Sequence, residues 1–231
     1  MPLETKALSD FQNIISSEMD LQEALSGGDL DGYAIRDTNL MRVSFENRNL
    51  RNILIHRVSM PGLRMNAMNV EAMQCTACNL RGCLLGDCAI DGLTMQNCHA
   101  IECRFDDTVV QNSNIYDSEL VNTSFARAKL VKTQFQSDNM FGVSFENAFL
   151  AQVRFSDPKM GNAELSRSNF SRAMIIDSSF KGANLQTSNF TDAILVRVDL
   201  TGTSLARADF RGAVLIDCKL TPDSKSDAIF R

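Results

Sequence analysis

Apolar side chains recur at every fifth position of this chain, from Leu30 to Leu220. All 39 of these centres are apolar, and the residue two places before each is small (Gly, Ala, Ser, Thr, Cys or Val) at 30 of them. A period of five fits neither an α-helix, which repeats every 3.6 residues, nor a long strand, which repeats every two. The chain must therefore turn a corner once per repeat, so that each coil is made of straight sides of five residues. On each side, one small and one large side chain point to a common axis.

Glycine and phenylalanine spacings predict the number of sides in one coil. Eight glycines two places after a centre (32, 62, 82, 92, 142, 182, 202 and 212) fall on alternate sides when the sides are counted without a break. Glycine there fits a turn with positive φ, which predicts two alternating turn types and an even number of sides. Phenylalanines at 105, 125 and 145, and again at 170, 190 and 210, recur every twenty residues. This spacing favours four sides and stacked rings.

Four stretches of the chain carry a recognisable signature. Residues 163–167, 183–187, 208–212 and 213–217 read AELSR, ANLQT, ADFRG and AVLID. They resemble the A-(D/N)-L-x-x signature of the pentapeptide-repeat family. The resemblance implies an all-β fold, a right-handed quadrilateral parallel β-helix with about 20 residues per coil. The pattern then makes about ten coils, and ~4.8 Å per coil gives a rod roughly 45 Å long.

The pattern divides the chain into three segments. Residues 29–220 form an uninterrupted coil, residues 1–28 a helical cap over its first turn, and residues 221–231 a C-terminal tail. Ser9 and Gln12 resemble a capping box. The predicted helix has an apolar face and stops at two glycines; the face comprises Phe11, Ile14, Ile15, Leu21 and Leu25.

Departures from the small inward residue cluster early in the coil, at Arg48, Ile53, Leu63, Met68, Met73 and Leu93. Arg48 stands where a small residue is expected, and an unpaired inward charge is costly, so we expect distortion or partial exposure there. Pro158 lacks the N–H that a ladder requires.

Composition and charge indicate a soluble chain. The net charge is −5, no run of eighteen apolar residues exists, and the first thirty residues lack the features of a signal peptide. The seven cysteines are an odd number, which favours a reducing compartment over a disulfide framework. We therefore expect the bacterial cytoplasm and no membrane, with export by a specialised secretion system as an alternative.

No catalytic, cofactor or metal site is predicted from the residues. Each cysteine stands at an inward position, a small one except for the centre Cys75; the others are Cys78, Cys83, Cys88, Cys98, Cys103 and Cys218. Buried small apolar packing explains them better than a zinc site, which needs ligands that converge on one point. His56 and His99 fall on outward positions of different sides. A rod filled by inward side chains should leave no ligand pocket, so we predict no enzyme.

An acidic belt is predicted at residues 86–120, which contain seven acidic residues and one basic residue, Arg104. The acidic residues are Asp87, Asp91, Glu102, Asp106, Asp107, Asp117 and Glu119. Residues 121–220 carry twelve basic and nine acidic residues. The resemblance implies one role for the belt, because some family members protect DNA gyrase from quinolones by mimicking DNA. Such members often have loops that interrupt the coil, and none is expected here. The alternative interpretation is an ordinary solvated surface.

An apolar patch is predicted near the C-terminal end of the rod. Residues flanking a centre point outward and are polar on most sides, but one side breaks this rule on three successive coils, at Met174, Ile176, Ile194, Val196, Val214 and Ile216. A contiguous patch of this kind indicates an interaction site. We expect a homodimer seam, in line with the end-to-end dimers that the resemblance implies. The alternative is that the tail folds back and covers the patch with Ile229 and Phe230.

The sequence thus predicts a non-enzymatic scaffold for protein–protein interaction, without direct nucleic-acid binding and with a partner that the residues do not identify. A DNA-mimicking modulator of DNA gyrase is the first alternative, and a secreted bacterial effector is the second.

Overall fold

The computed structural model describes residues 10–46, 48, 50–156, 163–221 and 228–230. Within these residues the helix is α1 (Glu18–Gly27). The strands are β1 (Asn13–Ile15), β2 (Tyr33–Arg36), β3 (Leu50–Arg51), β4 (Leu54–His56), β5 (Asn69–Glu71), β6 (Gln74–Thr76), β7 (Ala89–Asp91), β8 (Thr94–Gln96), β9 (Val109–Gln111), β10 (Asn114–Tyr116), β11 (Lys129–Val131), β12 (Gln134–Gln136), β13 (Phe149–Ala151), β14 (Arg154–Ser156), β15 (Met174–Ile176), β16 (Ile194–Val196), β17 (Asp199–Leu200), β18 (Val214–Ile216) and β19 (Lys219–Leu220). No helix in the described ranges is long and apolar enough to cross a membrane.

The strands pair in parallel from coil to coil and form four sides, named A to D in chain order. Side A contains β1, β2 and the even-numbered strands from β4 to β14, and continues through Ser179 to β17 and β19. Side D is a sheet in the order β18-β16-β15-β13-β11-β9-β7-β5-β3. Sides B and C are held by one bridge per coil, from Asn39 to Ser204 and from Ser44 to Ile229. The predicted parallel β-helix of about ten coils is confirmed.

One coil is five residues longer than the others, which corrects the expectation of an uninterrupted repeat. Up to β14 each side pairs with the side 20 residues later, as Leu130 does with Leu150. Leu150 then pairs with Ile175, 25 residues later, and the other three sides shift by the same amount. Pro158 falls in this extra length, in residues 157–162, which lie outside the described residues. Each described residue after the insertion therefore lies one side away from the side that a count of twenty residues per coil predicts.

The longer coil keeps one column of aromatic rings continuous on side C. The rings of Phe145 and Phe170 stack with centroids 5.1 Å apart, although unbroken counting places them on different sides. The column runs through Phe105, Phe125, Phe145, Phe170, Phe190, Phe210 and Phe230 with centroid spacings of 4.6 to 5.2 Å. Rings of side A meet it edge to face, as Phe180 meets Phe170 at 5.3 Å. Stacked and edge-to-face pairs add to the stability gained from burial.

The corners do not alternate between two turn types in the way that the glycine positions predicted. Every described residue two places after a centre, from Gly32 to Asp217, has a positive φ between 50° and 76°, and most of them are not glycine. With the longer coil taken into account, the eight glycines lie on all four sides. The left-handed backbone is thus imposed at each corner by the ladders on both sides of it, because most non-glycine residues disfavour it when alone.

The N-terminal cap is shorter than predicted and includes a strand. Ile14 and Ile15 belong to β1, which pairs with β2 and extends side A by one row. The helix starts later, because Ser17 is its N-cap and accepts a hydrogen bond from the Asp20 amide. The predicted cap residue Ser9 lies outside the described residues. Leu21 is buried against the first coil, so a cap over the open edge is present in this modified form.

Arg48 is partly exposed, as expected for a charge at an inward position. Its guanidinium donates a hydrogen bond to the carbonyl of Gly28, the C-cap of α1. A cation at the C-terminal end of a helix also meets the negative end of the helix dipole. The departure from the repeat therefore serves to join the cap to the coil.

Asp138 is a second charged residue at an inward position, two places before the centre Met140. Its carboxylate is 5% exposed and accepts hydrogen bonds from the amides of Ser118 at 2.8 Å and Gln136 at 3.0 Å. The hydroxyls of Ser113 and Ser118 accept from amides one coil earlier in the same way. Inward polar atoms thus satisfy corner amides that would otherwise be buried without a partner.

We expect that deleting residues 157–161 leaves the fold intact. The deletion gives all coils the same length and retains every described ladder bond, so the free energy of unfolding should change by less than about 1 kcal/mol. Urea unfolding followed by circular dichroism measures this change.

A deletion of residues 182–186 is the matched control. It removes five residues within the ladders and moves Phe190 off the aromatic column, which should cost more than about 3 kcal/mol. Equal losses from the two deletions would contradict the 25-residue coil.

Candidate interaction surface

The six predicted patch residues lie together on side D. Met174, Ile194 and Val214 are directly paired neighbours on β15, β16 and β18. Ile176, Val196 and Ile216 form a second column beside them. Met174, Ile194 and Val214 are 40%, 37% and 48% exposed. The grid two residues wide and three deep is therefore an open surface of the rod.

A fourth row of this surface was missed in the sequence. Phe149 pairs with Met174, and Ala151 pairs with Ile176, because β13 precedes β15 on side D. If every coil had twenty residues, this row would instead contain Arg154 and Ser156, the polar residues on either side of the centre Phe155. The available signals of an inserted repeat in the sequence were Phe149 at an outward position and Pro158, nine residues later. We call the eight side chains the side D patch: Phe149, Ala151, Met174, Ile176, Ile194, Val196, Val214 and Ile216.

Four charged side chains border the two middle rows of the side D patch. Arg172 and Asp192 stand at the corner between sides C and D, and Asp177 and Arg197 at the corner between sides D and A. Arg197 donates to both carboxylate oxygens of Asp177, from Nε at 2.6 Å and from Nη2 at 2.9 Å. These hydrogen bonds lower the pKa of Asp177. Arg172 and Asp192 form no ion pair with any residue that the structure describes.

The tail does not cover the side D patch with Ile229 and Phe230, which corrects the alternative interpretation. Ile229 bridges to Asp209 on side C, where its amide and carbonyl bond to Ala208 and Phe210. The ring of Phe230 stacks on Phe210 at 5.2 Å. These two residues extend the aromatic column of side C and leave side D open.

The C-terminal end of the rod contains a hollow, contrary to the expectation of no ligand-sized space. Its volume is about 700 Å³, and its walls include Leu215, Cys218, Leu220 and Phe230. Cys218 and Asp217 are the ionisable groups among the described lining residues. Inside the coil the packing is tight, since a cavity beside Met73 and Leu93 holds only about 10 Å³. The hollow is the open cross-section of the core.

The acidic belt surrounds the rod instead of following one face. Asp117 lies on side A and Asp91 on side D, while side B carries Glu102 and Glu119 and side C carries Asp87, Asp106 and Asp107. Several of these carboxylates have cationic or donor partners. Arg127 binds both oxygens of Asp107 and lowers its pKa, and Arg81 pairs with Glu102 at 3.1 Å. The belt is therefore a partly neutralised ring.

Comparison with known proteins supports the resemblance seen in the repeats. The family model described as pentapeptide repeats (8 copies) matches residues 159–192 and, again, residues 193–221. Residues 159–221 belong to the pentapeptide-repeat family. No curated protein matches its sequence.

Two solved structures share the pentapeptide-repeat fold. A trypsin-treated form of QnrB1, described as a plasmid-mediated fluoroquinolone resistance protein, has a TM-score of 0.57 at 16% identity, over 82% of this chain and 93% of QnrB1. HetL from the cyanobacterium Nostoc sp. strain PCC 7120 is described as involved in the regulation of heterocyst differentiation. It has a TM-score of 0.50 at 15% identity, over 92% of this chain and 94% of HetL. These low identities support the fold alone.

The cysteines occupy core positions of the pentapeptide repeats, on all four sides. Six are buried, and Cys218 at the open end is partly exposed. Burial raises the pKa of Cys75 and Cys88. A hydrogen bond with Cys78, together with burial, raises the pKa of Cys98. In the described part of the chain, no three potential ligands lie close enough to hold a metal ion.

We expect one thiol, that of Cys218, to react with Ellman's reagent in the native protein and all seven to react after unfolding. Burial also raises the pKa of Cys218, so its labelling rate should keep rising as the pH passes through the ordinary thiol range, because the thiolate is the reactive form. Absorbance at 412 nm counts the released thiolate. The Cys218→Ser variant should lose the native reaction, and fast labelling of several thiols in folded protein would contradict the buried columns.

Proposed function

We propose that this pentapeptide-repeat protein is a non-enzymatic scaffold that binds a protein partner through the side D patch. The observation that carries the proposal is the contrast between sides on the same coils. Side D exposes Met174, Ile194 and Val214, whereas the equivalent places on side B hold Glu164, Asn184 and Ser204. A contiguous exposed apolar patch with a charged rim is typical of a protein interface.

The rigidity of the patch supports this function. Each of its strands is bonded on both neighbouring coils, except at the end strand β18, and the centres Leu150, Ile175 and Leu195 are fully buried beneath it. A surface fixed in this way loses little conformational entropy when a partner binds. A fixed flat face is also more suited to docking than to chemistry, which requires groups that converge on a reacting atom.

The DNA-mimic alternative has weaker support in the arrangement of charge. QnrB1 is described as a fluoroquinolone resistance protein, but it shares only 16% identity with this chain. A mimic of duplex DNA requires carboxylates along the rod, where a DNA-binding groove could follow them. Here the acidic residues surround the rod within two coils, and Asp107 and Glu102 already bind arginines.

A photo-crosslinking amino acid at position 194 should produce covalent adducts with a protein in cells that express the chain, because this position is central to the side D patch. The same amino acid at Ser204 is the control, since it lies at the equivalent place on the opposite side B. Immunoblotting should reveal at least about fivefold more adduct from position 194. Equal adducts from both positions, or none from either, would refute binding through side D.

In a DNA gyrase supercoiling assay with a quinolone, we expect no protection at micromolar concentrations of the protein. The reason is the ring-shaped and partly paired distribution of its carboxylates. Agarose gels of the plasmid topoisomers provide the readout, and a DNA mimic of the same fold serves as the positive control. Restored supercoiling would favour the DNA-mimic function over the scaffold.

A further inference from the structure

We propose that the partner of the side D patch is a second copy of this chain, packed side by side and antiparallel. The two-fold axis lies along the strand direction, midway between β15 and β16. The proposal rests on the proposed function, since it identifies the occupant of the same surface. It differs from an end-to-end dimer because the contact lies along the sides of the two rods.

The rows of the side D patch match under this symmetry. The axis places the row of β15 opposite β16 of the second copy, and the row of β13 opposite β18. Phe149 then meets the smaller Val214, and Ala151 meets the larger Ile216. Large residues thus face smaller ones at both outer rows, which favours close packing of two flat faces. The four rows fit one another without an unmatched apolar row.

The rim charges are self-complementary in the same arrangement. Arg172 comes opposite Asp192 of the second copy, and both are without an ion pair within the described part of their own chain. Asp177 comes opposite Arg197 of the second copy, which joins two existing ion pairs into one cluster. Each contact occurs twice because the interface is isologous. Opposite charges that face each other specify the register of an interface more than its affinity.

A parallel arrangement is disfavoured by the row that precedes the patch. With the axis along the rods, every row of side D faces itself. Arg127 would come opposite Lys132 of the second copy, and Lys129 would be brought into an apolar contact. In the antiparallel arrangement these three residues project beyond the end of the second copy.

The size of the contact predicts a weak dimer. Four rows at ~4.8 Å, across a side of five residues at ~3.3 Å each, cover about 300 Å² per protomer, well under half of the ~800 Å² of a standard interface. Such an area is compatible with a dissociation constant in the micromolar range. The protein should therefore be studied from about 10 to 500 μM.

Sedimentation equilibrium of the full chain and matched variants tests the proposal. Ile194→Asp should weaken dimerisation at least about tenfold, whereas Ser204→Asp on side B should leave it unchanged. Arg172→Glu should weaken it about fivefold or more, since it affects two contacts. Circular dichroism and urea unfolding verify that each variant folds like the parent.

Charge exchange distinguishes the two orientations. Arg172→Glu with Asp192→Arg restores opposite charges across the antiparallel seam and should return the dissociation constant to within about threefold of the parent value. Arg172→Glu with Asp177→Arg restores them only across a parallel seam and should leave the dimer weak. Small-angle scattering measures the overall length of the dimer, which should be about 75 Å for the antiparallel arrangement and about 45 Å for the parallel one.

Some results test the antiparallel dimer alone, and others test it together with the proposed scaffold function. A monomer up to 500 μM, a dimer unaffected by Ile194→Asp, or rescue by the Asp177→Arg pair overturns the antiparallel dimer. If adducts from position 194 have the mass of a different protein, the scaffold function stands and the self-association falls. Adducts with twice the mass of the chain support both proposals, and the absence of any adduct refutes both.

Discussion

The coil-to-coil ladder is the interaction on which the rest of the structure depends. Each short strand or bridge bonds to its equivalent one coil away, and these bonds stack inward side chains into columns under every side. No strand could persist alone, because strands of two or three residues bury too little surface. The ladders also hold each described corner residue at a positive φ, which only tertiary bonding makes acceptable for arginine, lysine or alanine.

Stacking explains how the fold tolerates both its irregular residues and its longer coil. An insertion of five residues lengthens one coil and returns the chain to register, so Phe145 and Phe170 still stack. Arg48 and Asp138 occupy inward positions because each finds backbone partners, the Gly28 carbonyl and the Ser118 amide. The constraint therefore applies to register and hydrogen bonding more than to any particular side chain.

The same constraint commits the inward positions to packing, so the proposed function lies at outward positions. The six cysteines that the sequence places close together, at positions 75 to 103, are buried on all four sides of the coil, and burial raises the pKa of Cys75 and Cys88. The acidic residues of the belt lie close together in sequence but surround the rod, because twenty residues complete one turn. The side D patch gathers apolar residues into one surface, since its members recur at the period of the coil.

The sequence by itself determined the five-residue period, the buried centres and six of the eight patch residues, because these features repeat and each repeat obeys the same local packing rule. Only the tertiary structure decided the 25-residue coil, the addition of Phe149 and Ala151 to the patch, and the placement of Phe230 on side C. A count along the sequence cannot reveal this insertion, because the inserted repeat keeps the five-residue period through its apolar centre Met160. Which side pairs with which depends on bonds between residues 20 or 25 positions apart, and these bonds form only when the coils stack.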